Sequence, residues 1–100
     1  MQFLVTAYDG TDDKALERRL AARSAHIVQG DRLRDAGKLL YAVAILDATE
    51  KMIGSLLVYD VADRRELDEC LMSDPYVAGK VWTTVDVKRC KVGPSFDGRP

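Results

Sequence analysis

The sequence predicts an α+β fold of order β-α-β-β-α-β, and three observations carry that reading. Strand-forming and helix-forming runs follow one another in that order. Only a short polar turn separates the two middle strands. The chain of 100 residues has room for one modest core. The short turn makes strands two and three antiparallel neighbours. The whole order is the split βαβ, ferredoxin-like plan. Its expected form is a four-stranded antiparallel sheet with two helices on one face. It is expected to be a single domain over 1–100, with 93–100 as a C-terminal tail.

Each element has its own signal. QFLVTAYD (2–9) is rich in strand formers and stops at the turn dipeptide Asp9-Gly10. TDDKALERRLAARSAHIVQGDRLRDAG (11–37) reads as a helix, with Thr11 or Asp12 as its cap and early acidic residues suited to the dipole. Leu16, Leu20 and Ile27 fall on one helical face, Gly30 is a candidate kink and Gly37 a stop signal. KLLYAVAILDA is the second strand, TEK the turn and MIGSLLVYDV the third strand. ADRRELDECLMS is the second helix, where Asp63 and Glu66 have the spacing of a capping box. DPYVAGK breaks the pattern, since a proline disfavours helix at the residue before it. VWTTVDVKRCKV alternates as a fourth strand, and GPSFDGRP reads as a loop or arm.

The two middle strands are apolar nearly throughout rather than alternating, and such strands want both faces covered. The simplest cover is a second copy, sheet against sheet, so a homodimer is expected, with a cavity where the two sheets meet.

Bulk composition excludes several classes. Fifteen Lys and Arg against sixteen Asp and Glu leave a net charge of -1, without the basic stripe that a phosphate backbone requires, so no nucleic acid is expected as a partner. With 47% hydrophobic and 31% charged residues the chain is too apolar for intrinsic disorder. No apolar run approaches a membrane span, and MQFLVTAYDG has no basic region ahead of a long apolar one. No membrane partner is expected, and the expected location is cytoplasmic. Cys70 and Cys90 form no CxxC, and with one histidine they cannot build a four-ligand zinc site. They read as reduced thiols. No phosphate loop, nucleophile elbow or GxGxxG is present. No cofactor and no metal are expected.

His26 is the only histidine. Arg19, Arg23 and His26 are spaced i, i+4, i+7, on one helical stripe that Leu33 continues. That stripe is turned part way from the Leu16, Leu20 and Ile27 face, so His26 stands at the shoulder of the core. Two cations disfavour a charged imidazole, whereas a carboxylate partner would fix its tautomer. Asp74, in SDPY, is the best candidate for that carboxylate, because loop carboxylates at such a break serve as caps or as site residues. A His–Asp pair can move protons near neutral pH. Taken singly, these residues have plainer readings: a packed or solvated histidine, a turn or cap aspartate, and arginines paired with Asp12, Asp13 or Glu17. Tyr41, Tyr59 and Trp82 read as sheet residues, core first and ligand-stacking second.

YDGTDDKALERRLAARSAHI, then GSLLVYD, then SDPYVAGKVWTTVDVKRCKVGPSF resembles the YciI-like family (YCII-related domain) in order and over most of the chain. The most specific parts are the Arg-x-x-His helix, the Gly-Ser opening of the third strand and Asp-Pro-Tyr. The resemblance implies a ferredoxin-like fold dimerised through its sheets, similar in architecture to muconolactone isomerases. It implies an active site with a histidine and an aspartate, which fall on His26 and Asp74. The family's arginine falls on Arg23, and Ser55 follows its Gly-Ser. Members are mostly of unknown function, with one line acting as a dehydrochlorinase on a chlorinated hydroxyquinone. The implied activity is acid–base chemistry of lyase or isomerase type on a small cyclic or enone metabolite. His26 and Asp74 would be the acid–base pair, and Arg23, Arg19 and Ser55 would bind substrate. The alternative is a dimeric small-ligand-binding or accessory protein without turnover.

Overall fold

The computed structural model describes residues 1–97; the end of the tail, 98–100, lies outside the described residues. The elements are β1 (Gln2–Asp9), α1 (Ala15–Asp35), β2 (Leu39–Leu46), β3 (Met52–Asp60), α2 (Arg64–Met72), α3 (Pro75–Ala78) and β4 (Trp82–Cys90). The strands form one sheet in the order β2-β3-β1-β4, every neighbour antiparallel. This is the ferredoxin-like arrangement, with one short helix added between α2 and β4.

Strand alternation decides which side chains meet the helices. The register sets Phe3 opposite Tyr59, Val5 opposite Leu57 and Ala7 opposite Ser55. These residues are buried, and they pack with Leu67 and Cys70 of α2, Tyr76 of α3, and Val81 and Trp82. On the opposite face Tyr41 pairs with Val58 and Val43 with Leu56. No described helix covers that face, and Tyr41 is 55% exposed there. This explains the unbroken apolar character of β2 and β3: one set of residues serves the core, and the other forms an apolar outer surface.

α1 differs from the sequence expectation in three ways. Its first helical residue is Ala15, and its N-cap Lys14 has no side-chain cap; Thr11 and Asp12 lie outside it. Asp12 instead accepts from the Lys14 amide and pairs with Arg18 through both carboxylate oxygens. Gly30, which lies beside Leu39, does not interrupt the helix, which runs unbroken to Asp35. The expected apolar face is also misassigned: Leu20 is 54% exposed, Ile27 is exposed and Leu16 only half-buried. The buried residues of α1 are Ala15 and Arg19, with Ala22 and Leu33 packed against the core. The inward stripe is thus the one that carries Arg19 and His26. A charge can point inward because its partners wait there, and hydrophobic patterning cannot register that.

Near the C-terminal half, Asp63 caps α2 by accepting from the Glu66 amide. Only that half of the expected box forms, since the Glu66 carboxylate pairs with Lys38. DPYVAGK is not simply a break. Asp74 caps the one-turn helix α3, and Pro75 occupies its first position, where a proline has no amide to waste.

Tyr59 of β3 is fully buried and its hydroxyl has no hydrogen-bond partner among the described residues. Burial first, then the nearby Asp74 charge, pushes that phenol well above its usual range. An unsatisfied buried hydroxyl is a stability cost. Tyr59→Phe is therefore expected to stabilise the protein by about 1 kcal/mol in urea denaturation. A loss of stability would mean that the hydroxyl has a partner in solution.

Candidate active site

The loop carboxylate and the lone histidine meet. His26 Nδ1 lies 2.8 Å from Asp74 Oδ1, and that oxygen also accepts from the Tyr76 amide at 2.8 Å. An ionised carboxylate can only accept, so against it Nδ1 carries the proton, and in the neutral ring Nε2 keeps a free lone pair. The ring is held on a second side by Tyr76, stacked at 3.8 Å between centroids and 9° between planes. Trp82 approaches both rings edge-on. Asp74 thus does two things with one oxygen: it starts α3 and it orients the imidazole.

A second cluster lies beside the first. Arg19, only 3% exposed, donates from Nη1 to both oxygens of Asp9 at 2.9 and 3.1 Å. Its Nη2 donates to Ser55 Oγ at 2.9 Å, and Trp82 Nε1 donates to the same oxygen at 3.2 Å. The Arg19 guanidinium carbon sits 4.8 Å from the centre of the Tyr76 ring. Local backbone features place these groups. A register shift between β1 and β4 at Tyr8/Asp9 brings Asp9 opposite Trp82, and such shifts re-aim side chains at sheet rims. Gly54 lets β3 lie close to β1, since a Cβ there would stand 2.6 Å from the Ala7 carbonyl oxygen.

Arg23, His26, Ser55 and Tyr76 line a half-open cleft of about 190 Å³, with apolar walls that include Ala44 and Met52. The cleft lies between α1 and the helix-facing side of β2 and β3. Its lining comes from residues of this one chain. A larger cavity of about 420 Å³ near Leu16 and Ile53 includes neither His26 nor Asp74. The smaller cleft is the better candidate, because only it joins a free imidazole nitrogen to fixed donors. No three His, Cys, Asp or Glu among the described residues are grouped to hold a metal ion. Cys70 and Cys90 are free thiols. No described helix is long and apolar enough to cross a membrane.

Of the five residues singled out in the sequence, His26 and Asp74 are paired, Arg19 and Ser55 are bonded, and Arg23 stands at the cleft without an ion pair among the described residues. The acidic partners expected for the arginines are otherwise engaged: Asp12 holds Arg18, and Glu17 holds Lys14. Sequence reasoning missed Asp9, which looked like a turn residue, and Tyr76. It placed Trp82 in the sheet, where it is, without its bond to Ser55. No local spacing links Asp9 to Ser55; only pairing of β1 with β3 does.

Comparison with known proteins bears on the family and the fold. The family model for the YCII-related domain matches residues 1–91. The chain is 31% identical over 97 residues to Protein YciI of Escherichia coli O6:H1, covering 91% of this chain and 97% of that one. An equally similar Protein YciI occurs in Shigella flexneri. Among solved structures, 5-chloro-2-hydroxyhydroquinone dehydrochlorinase (TftG) from Burkholderia phenoliruptrix AC1100, in complex with 2,5-dihydroxybenzoquinone, superposes with a TM-score of 0.82 at 24% identity, over 97% of this chain and 100% of that one. Rv0793 from Mycobacterium tuberculosis gives a TM-score of 0.59 at 18% identity, over 94% and 99% of the two chains. At these identities the structural likeness speaks for the fold.

Proposed function

We propose, from the premise that the chain belongs to the YCII-related domain family, that it is a cofactor-independent acid–base enzyme of lyase or isomerase type acting on a small cyclic or enone-type metabolite. The observation that carries this reading is the 2.8 Å contact of His26 Nδ1 with Asp74, which leaves Nε2 free at a cleft beside Arg23, which has no ion pair among the described residues. His26 Nε2 takes a proton from the substrate and Asp74 stabilises the imidazolium that results. The electron pair left behind moves toward a carbonyl oxygen, where Arg23 meets the developing charge. Returning the proton to a different atom gives an isomer. Expelling chloride from the ring instead gives net loss of HCl, the outcome that the name of the structural relative TftG describes.

The test is to incubate the protein with 5-chloro-2-hydroxyhydroquinone, and with hydroxylated cyclic enones in D2O, following chloride release and deuterium uptake. Wild type should release chloride or exchange deuterium, and His26→Ala should not. Equal behaviour of the two proteins, with ligand still bound, would favour the binding-module alternative.

The reading includes a homodimer formed through the outer faces of the sheets. Support comes from the apolar row of Tyr41, Val43, Leu56 and Val58 on the uncovered face, since exposed apolar patches of this kind mark interfaces. Sedimentation equilibrium should give twice the chain mass for wild type and a shift toward monomer for Tyr41→Glu. A monomeric wild type would remove the dimer from the reading.

A further inference from the structure

We propose that Tyr76 also touches the substrate, its phenolic O–H donating a hydrogen bond to the ligand oxygen on which charge develops. The proposal deepens the acid–base reading and rests on it. The Tyr76 backbone and ring already have structural work. The amide bonds to Asp74, one contact stacks the ring on His26, and another sets it under the Arg19 guanidinium. A phenylalanine would do all of that. The hydroxyl is what remains to be explained.

Tyr76 is 2% exposed and lines the cleft. Its hydroxyl bonds to no described residue. Yet it is not one of the buried polar atoms left without a partner, which are Arg19 Nε and Tyr59 Oη. The hydroxyl therefore reaches the cleft itself. Burial raises its pKa, and the charges of Arg19 and Arg23 pull it back only in part. The phenol accordingly keeps its proton at neutral pH and can donate it to a hydrogen bond.

The other polar groups of the cleft define the ligand. Ser55 Oγ accepts from Arg19 and from Trp82, two groups that cannot accept in return. A hydroxyl has two acceptor positions and one proton, so Ser55 is left with only its proton to offer. Arg23 has only donors. His26 Nε2 is then the sole acceptor among these groups. The complementary molecule presents acceptor oxygens to Tyr76, Ser55 and Arg23, and one removable proton to His26. A cleft of about 190 Å³ is comparable with the roughly 150 Å³ cavity that admits benzene. The ligand class is a single six-membered ring that carries carbonyl or ionised hydroxyl groups.

The experiment is equilibrium binding of 2,5-dihydroxybenzoquinone, followed by its visible absorption, to wild type, Tyr76→Phe and Tyr76→Leu. Tyr76→Phe should raise the Kd on the order of 10- to 100-fold, the worth of one hydrogen bond to a charged group. The His26 ring-proton shifts should stay in place in that variant, because the stack is intact. Tyr76→Leu should move them. Binding by Tyr76→Phe within two-fold of wild type would overturn the proposal and leave the acid–base reading standing. No binding by wild type of this quinone or of 4-nitrocatechol would also overturn it. Weakened binding in Tyr76→Phe, together with equal proton exchange by wild type and His26→Ala, would remove the acid–base reading and keep Tyr76 as a binding donor.

Discussion

Replacing Asp9 by alanine is expected to lower the melting temperature by on the order of 10–40 °C. Asp9 is 7% exposed and Arg19 is 3% exposed, and they are joined by two bonds from Nη1. Removing the carboxylate leaves a buried guanidinium with Ser55 as its one remaining hydrogen-bond partner among the described residues, where Nε has none. Breaking a buried pair from one side costs about 3–5 kcal/mol, because the remaining charge has lost its compensation. In a domain of this size each kcal/mol is worth roughly 4–8 °C. Asp9→Ala combined with Arg19→Met removes both charges, and should recover most of the loss in a thermal melt. It should not recover ligand binding, since Ser55 loses the donor that fixes its proton toward the cleft. If the single and double variants melt together, the pair is not the compensated unit described here.

Asp74→Asn is expected to lower turnover by on the order of 10²- to 10⁴-fold, the usual contribution of one acid–base group. The geometry makes this substitution unusually selective. A single oxygen, Oδ1, accepts from both His26 and the Tyr76 amide. An asparagine can present an acceptor oxygen at the same place, keeping the cap on α3 and the Nδ1–H tautomer. What it cannot supply is negative charge opposite the imidazolium. Nitrogen-15 spectra of the His26 ring should therefore report the same neutral tautomer in both proteins, while the rate collapses. Asp74→Ala removes the cap as well, adding about 1 kcal/mol of instability. A full-rate Asp74→Asn would mean that proton transfer does not depend on the charge of this residue.

How much of this was legible beforehand differs by element. β1, β2, β3 and β4 were each visible as runs of strand formers, and the Asp63 cap of α2 was visible as a short-range pattern. The pairing of His26 with Asp74 was suggested by residue types and by family resemblance, not by spacing, because 48 residues separate the two. The apolar face of α1 was misread. Leu20 and Ile27 look like core residues to any periodicity argument, yet they face outward, while Arg19 faces in. A helix built to deliver charge to a site must violate the pattern that reveals it. α3 was hidden because one turn of helix has no periodicity to detect, although its cap and its proline were both in view.

The sequence by itself determined the order of the four strands and two longer helices, the antiparallel pairing of β2 with β3, and the family, because each depends on local propensity, on turn length or on motifs in order. Only the tertiary structure decided that Asp9, Arg19, Ser55 and Trp82 form one bonded cluster. It also decided that Tyr76 lies between that cluster and His26, and that the cleft opens between helix and sheet within one chain. The physical reason is the same throughout. A hydrogen bond or ring contact between residues tens of positions apart exists only once distant strands pair in register and the helices pack on them. Hydrophobic pattern and turn geometry constrain that register locally but do not say which polar groups will meet across it.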